Sequence, residues 1–116
     1  MKTWRLVYRE HGRPTLVRDH DGRDIPLQGY FVLEQATGAI VASAVSVERR
    51  DYAVSIVVRC ARDPKLGIWL PAEMKETYRV VLDPSGPDSV VLEGTARYSN
   101  FRRFQVTTDV QVAPKK

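Results

Sequence analysis

The chain reads as all-β: an antiparallel, up-and-down, curved sheet of about seven strands, a half-barrel with little or no helix. Three observations carry this. Apolar and polar residues alternate with a period of two along most of the length, the mark of strands with one face buried. The alternating runs are rich in Val, Ile, Thr, Tyr, Phe and Trp, which suit a pleated, half-buried surface. Between the runs stand short clusters of Gly, Pro and Asp, residues that turn the chain back on itself.

The first strand spans 3–10, where Trp4, Leu6 and Tyr8 alternate with Arg5, Val7 and Arg9. A short one is predicted over 15–18, ahead of the turn His20-Asp21-Gly22-Arg23, and a third over 29–36, ended by Thr37-Gly38. The run 39–49 sets Val41, Ser43, Val45 and Val47 on one side, and 52–62 does the same with Val54, Ile56, Val58 and Cys60. Arg49, Arg50 and Asp51 make the charged tip between them, and Cys60 reads as a small core hydrophobe. Asp63-Pro64-Lys65-Leu66-Gly67 leads into 67–82. Inside that run Pro71–Tyr78 holds good helix formers but no apolar i, i+3, i+4 stripe. Leu70, Ala72, Met74, Tyr78 and Val80 fit alternation, so the segment is assigned to a strand. The loop Asp83–Asp88 precedes the last strand, 89–110, in which alternation slips near Ser99-Asn100 and a bulge would restore it. Short connections between consecutive strands imply antiparallel neighbours.

One domain accounts for the 116 residues, with 113–116 a disordered tail. The formal charge of +4 falls to +2 without the terminal Lys115 and Lys116, too weak for a charge-driven nucleic-acid arm. No run approaches eighteen consecutive apolar residues, so no transmembrane helix is expected. The polar–apolar alternation of Met1–Leu6 is not a signal peptide, which places the chain as written in the cytoplasm. A start at Met1 almost inside a strand suggests a fragment or a domain boundary. One cysteine and two histidines imply neither a disulfide nor a closed zinc site, and no cofactor is expected.

Two stretches are distinctive: Leu66-Gly67-Ile68-Trp69-Leu70-Pro71-Ala72-Glu73-Met74, and Gly94-Thr95-Ala96-Arg97-Tyr98-Ser99-Asn100-Phe101-Arg102-Arg103-Phe104. With Gly12–Leu16 and Gly29–Gly38, they make the chain resemble the C-terminal half of a group of uncharacterised bacterial envelope proteins. The fold of that group is similar to the outer-membrane lipoprotein carriers (LolA/LolB-like), an open curved antiparallel barrel closed by helices. The resemblance implies a scaffold that binds something greasy between sheet and helices, with no catalytic residues to carry over and with a cell-envelope setting for full-length relatives. Family members have a secretion signal and an N-terminal half that supplies the first strands and a covering helix; this chain starts after both.

A sheet lacking that cover exposes its concave apolar face and two unpaired edges, so a homodimer through the face or an edge is expected. A strongly coiled sheet closing on itself as a small barrel is the alternative. Trp4, Tyr8, Tyr30, Phe31, Trp69 and Tyr78 are the candidate lining, and Tyr98, Phe101, Arg102 and Arg103 join them as ligand contacts. The last group, with Phe104, interleaves aromatics and arginines as single-stranded nucleic acid or an anionic lipid headgroup would require. Asp19-His20-Asp21 with Asp24 reads as a polar hairpin tip rather than a metal or general-base site. Function is therefore expected to be non-catalytic binding of an apolar or amphipathic ligand or partner. A basic β module for nucleic acid is the alternative, and a small hydrolase that no nucleophile elbow, P-loop, HExxH or CxxC announces is a second.

Overall fold

Each turn-forming cluster folds the chain back beside the strand it has just left. The computed structural model describes residues 1–83 and 85–107. Its strands are β1 (Thr3–Arg9), β2 (Gln28–Glu34), β3 (Ile40–Glu48), β4 (Tyr52–Arg62), β5 (Trp69–Val81) and β6 (Ser89–Arg97). They lie in sequence order in one sheet, each antiparallel to the next. The tight reversals rely on Gly38 (φ 74°) and Gly67 (φ 69°), where a left-handed backbone would strain any residue with a side chain. Their amides donate to Glu34 and Asp63 carbonyls at 2.8 Å.

All-β and antiparallel hold, and the described residues include no helix. Among the described residues the strand count is six rather than seven. Residues 15–18 contribute only an isolated bridge, Arg18 to Asp24, because side-chain hydrogen bonds to Thr15 and Asp24 take the place of a ladder. The last strand stops at Arg97, and where a bulge was expected Asn100 turns left-handed (φ 59°). Residues 108–110 of that expected strand, and the expected tail 113–116, lie outside the described residues. β1 and β6 do not pair, so the sheet is open and the self-closed barrel is not formed.

Opposed residues of an antiparallel ladder share a face. One row runs Leu6, Phe31, Ser43, Val58, Met74, Ala96; the next Tyr8, Gly29, Val45, Ile56, Glu76, Gly94. Val47, Val54, Tyr78 and Leu92 follow, then Tyr52, Val80 and Val90. This face is apolar apart from Glu76, Ser43 and the tyrosine hydroxyls. The opposite face carries Arg5, Arg59, Glu73, Lys75, Arg79 and Arg97. There the guanidinium of Arg5 sits 3.9 Å over the Tyr30 ring. Glu73 receives Arg59, Lys75 and Arg97 at 3.4–3.8 Å. Such solvent-facing pairs each contribute little, about 0–1 kcal/mol.

The long β1–β2 connection, residues 10–27, rises over one end of the apolar face and is the only second layer among the described residues. Its Ile25 and, on the sheet below, Val47 are the buried apolar residues among those described, and its Thr15 is the buried polar one. Thr15 organises the connection. Its amide donates to Asp24 Oδ1 at 2.8 Å, while its hydroxyl accepts from the Ile25 amide at 2.9 Å and donates to the Val17 carbonyl at 2.6 Å. Elsewhere none of the described residues covers the sheet, and the radius of gyration is 21.0 Å against about 13 Å for a compact domain of this length.

The Thr15 amide, a desolvation penalty working against it, the Thr15 hydroxyl and the nearby Arg13 and Arg18 together hold the Asp24 carboxyl below its ordinary value. A carboxyl depressed on folding stabilises the protein above its unfolded pKa and loses that contribution as pH falls through the lower folded value. Two outcomes are expected in denaturant titrations. Thr15→Val lowers stability by about 1–3 kcal/mol, since the Ile25 amide loses its acceptor. Asp24→Asn flattens the acid limb below about pH 4 and leaves its shape between pH 5 and 7 unchanged.

Candidate functional site

Strand periodicity decides which of the sequence candidates stand together. Trp4, Tyr8, Phe31 and Tyr78 share the apolar face. Tyr30 does not: it neighbours Phe31 in β2, so its side chain points to the charged face, beneath Arg5. Trp69 begins β5 and donates its indole N–H to Glu34 Oε2 at 3.0 Å, reaching from β5 to β2. Tyr98 follows the last pair of β6, its amide donating to the Ala72 carbonyl and its hydroxyl 3.9 Å from Met74 Sδ. Phe101 lies against a crevice lined by Arg62, Leu70 and Tyr98. Arg102 and Arg103 are exposed on irregular chain beyond the sheet, as is Phe104 at 89%. Tyr98–Phe104 therefore presents no common strand face.

The apolar face is open to solvent over most of its extent. Trp4 is 53% exposed, Leu6 51% and Leu92 61%. Tyr8 and Phe31 stack with ring centroids 5.3 Å apart. The Tyr8 hydroxyl passes over Gly29 to the Ala44 carbonyl at 3.4 Å. A side chain at 29 would stand 2.8 Å from that hydroxyl and collide with the Ala44 backbone, so the glycine makes room for the tyrosine.

At the end roofed by residues 10–27 the face becomes a cleft of about 300 Å³. Val17, Ile25 and Leu27 form one wall, and Val45, Val54 and Ile56 the other. Tyr52 lines this cleft and also a polar hollow that holds Arg23, Arg49, Arg50 and several aspartates. Arg49 is held there by a 2.8 Å bond from Nη2 to the Asp24 carbonyl. The Asp19 carboxylate accepts the amides of Asp21 and Arg23, and His20 lies 3.5 Å from Asp21 in an exposed turn. Among the described residues no group of three or more His, Cys, Asp or Glu is placed to hold a metal ion. Cys60 is half-buried, and desolvation pushes its thiol up from the usual range.

Sequence reasoning overlooked three features of this surface. The cleft walls from Val17 and Ile25 arise from a non-strand loop that hydropathy alternation does not describe. The pairing of Gly29 with Tyr8, and of Gly94 with Glu76, depends on register. Glu76 itself is a carboxylate in the middle of the apolar face; it lies over Gly94, occupying the space a side chain at 94 would fill. The Tyr78 hydroxyl donates to Glu76 Oε2 at 2.9 Å.

No family model, no curated protein and no solved structure matches this chain. Nor is any helix of the described residues long and apolar enough to cross a membrane.

The hydrogen bond to Glu76 raises the Tyr78 pKa above the ordinary phenol value, with desolvation and the Glu76 charge adding to it. The bond is complete below the unfolded tyrosine pKa and is lost as pH rises through the higher folded value. In a tyrosinate absorbance titration, the component removed by Tyr78→Phe is expected to titrate above the ordinary phenol value. Glu76→Gln is expected to bring that component back toward the ordinary value; an unchanged midpoint would refute the assignment.

Proposed function

We propose that the chain is a non-catalytic binding domain whose working surface is the apolar face of the sheet. It takes an apolar or amphipathic ligand there, as a curved half-barrel of the lipoprotein-carrier kind would. The observation that carries this reading is the cleft between residues 17–27 and strands β3 and β4, apolar on both walls and open at the polar hollow beyond Tyr52. Its volume lies at the small end of ligand pockets, which suits one chain rather than two. The Trp69–Glu34 bond supports a curved sheet. Three inter-strand steps of about 4.8 Å separate β5 from β2 in a flat one, near the full reach of the two side chains and the bond between them, so any bending of these strands toward each other eases the contact.

The driving force is hydrophobic. An acyl chain removing about 200 Å² of apolar surface from water contributes on the order of 5 kcal/mol at 25 cal/mol per Å². Arg23, Arg49 and Arg50 at the open end offer guanidinium donors to an anionic head; Asp19, Asp21, Asp24 and Asp51 line the same hollow, but among the described residues none of them lies within ion-pair distance of these three arginines. A guanidinium presents paired donors to a carboxylate or phosphate.

Gentle purification followed by native mass spectrometry is expected to reveal an adduct of a few hundred daltons, and dodecanoate below its micellar concentration is expected to bind. Val54→Asp, placing a charge on the cleft wall, abolishes both. Bare protein that takes up no dodecanoate would overturn the ligand reading.

A further inference from the structure

We infer that the apolar face is also a self-association surface: two copies pack face to face as a β-sandwich, leaving the cleft at each end. This rests on the reading of the apolar face as the working surface and names the partner that covers the rest of it.

Area decides between the candidate covers. Six strands of 7–13 residues, at about 3.4 Å per residue and about 4.8 Å between strands, present a face of about 900 Å². A single acyl chain covers a few hundred Å² and fills the cleft alone. Edge-to-edge pairing satisfies the free N–H and C=O groups of β1 and β6 but leaves Leu6, Phe31 and Leu92 in water. A standard protein–protein interface takes about 800 Å² from each partner, close to the face with its roofed end included. A second layer about 10 Å away is also the usual completion of a one-sided sheet.

The raised connection fixes the arrangement. Residues 10–27 occupy the end of the face at Val47, Tyr52 and Val54, so two copies related by an axis along the strands would collide there. An axis across the strands reverses one copy. Each connection then extends over the uncovered end of its partner, where Trp4 and Leu6 stand. Homodimers of this isologous kind bring each patch against its own copy. Glu76 is the one carboxylate in the continuous registers of this face, and the Tyr78 hydroxyl and the space over Gly94 fold it flat against the sheet.

Sedimentation of the full chain across the micromolar range tests this. A species of twice 13.2 kDa is expected. Leu6→Asp and Leu92→Asp, at positions already exposed within one copy, weaken association at least 100-fold. Val7→Asp, 78% exposed on the opposite face, leaves it unchanged. Glu76→Gln removes two buried charges from each dimer and tightens association about tenfold, a gain that misfolding does not mimic. A folded monomer throughout the range, equal weakening by Val7→Asp, or no tightening by Glu76→Gln would overturn the dimer. A folded monomer that still binds dodecanoate would do so while leaving the ligand reading standing.

Discussion

A single β-sheet has two faces, and this one can afford water on only one of them. The face bearing Arg5, Arg59, Lys75 and Arg97 is built for solvent; that bearing Leu6, Phe31, Val58, Met74 and Leu92 is not. Within one copy, only Ile25, Val47 and Thr15 are buried among the described residues. Backbone pairing along five ladders holds the strands in register, but the hydrophobic term that normally dominates folding is largely unrealised. What covers the apolar face is thus the same question as what the protein does.

The β1–β2 connection shows how part of that cover is made. A buried threonine replaces ladder hydrogen bonds with side-chain ones, and this lets residues 10–27 leave the sheet and turn back over its end. The result is a small core and, where roof and sheet diverge, a cleft. Function and stability meet there: the residues that make the roof also line the cavity. Placing Arg49 against the Asp24 carbonyl ties the β3–β4 tip to the same connection, so the charged mouth and the apolar walls are positioned by one piece of chain.

Most of the sheet was legible in the sequence because strand alternation is local. The run 52–62 matches β4 to the residue, and 39–49 and 67–82 differ from β3 and β5 by one or two residues at each end. Pro71–Tyr78 was rightly placed in a strand, as Met74, Tyr78 and Val80 indicate. Alternation misled at Leu16 and Val17, where two polar side chains outcompete the ladder, and beyond Arg97, where Asn100 turns the chain away. For the site, Trp4, Tyr8, Phe31 and Tyr78 were recoverable as one face. Including Tyr30 beside Phe31 overlooked that neighbours in a strand point opposite ways. The cleft was not legible, because Val17, Ile25 and Leu27 meet Val45, Val54 and Ile56 only through long-range folding of an irregular segment.

The central claim is that the apolar face is covered when the protein works, and Trp4, more than half exposed within one copy, reports on it directly. Fluorine NMR of the chain labelled with fluorotryptophan, with the two signals assigned by Trp4→Phe, measures how strongly each responds to exchange of water for heavy water. At concentrations that favour association the Trp4 signal is predicted to be nearly insensitive to the solvent, and to gain sensitivity on dilution while the sheet stays folded. A Trp4 signal fully responsive at every concentration, in a folded sheet, would contradict the claim.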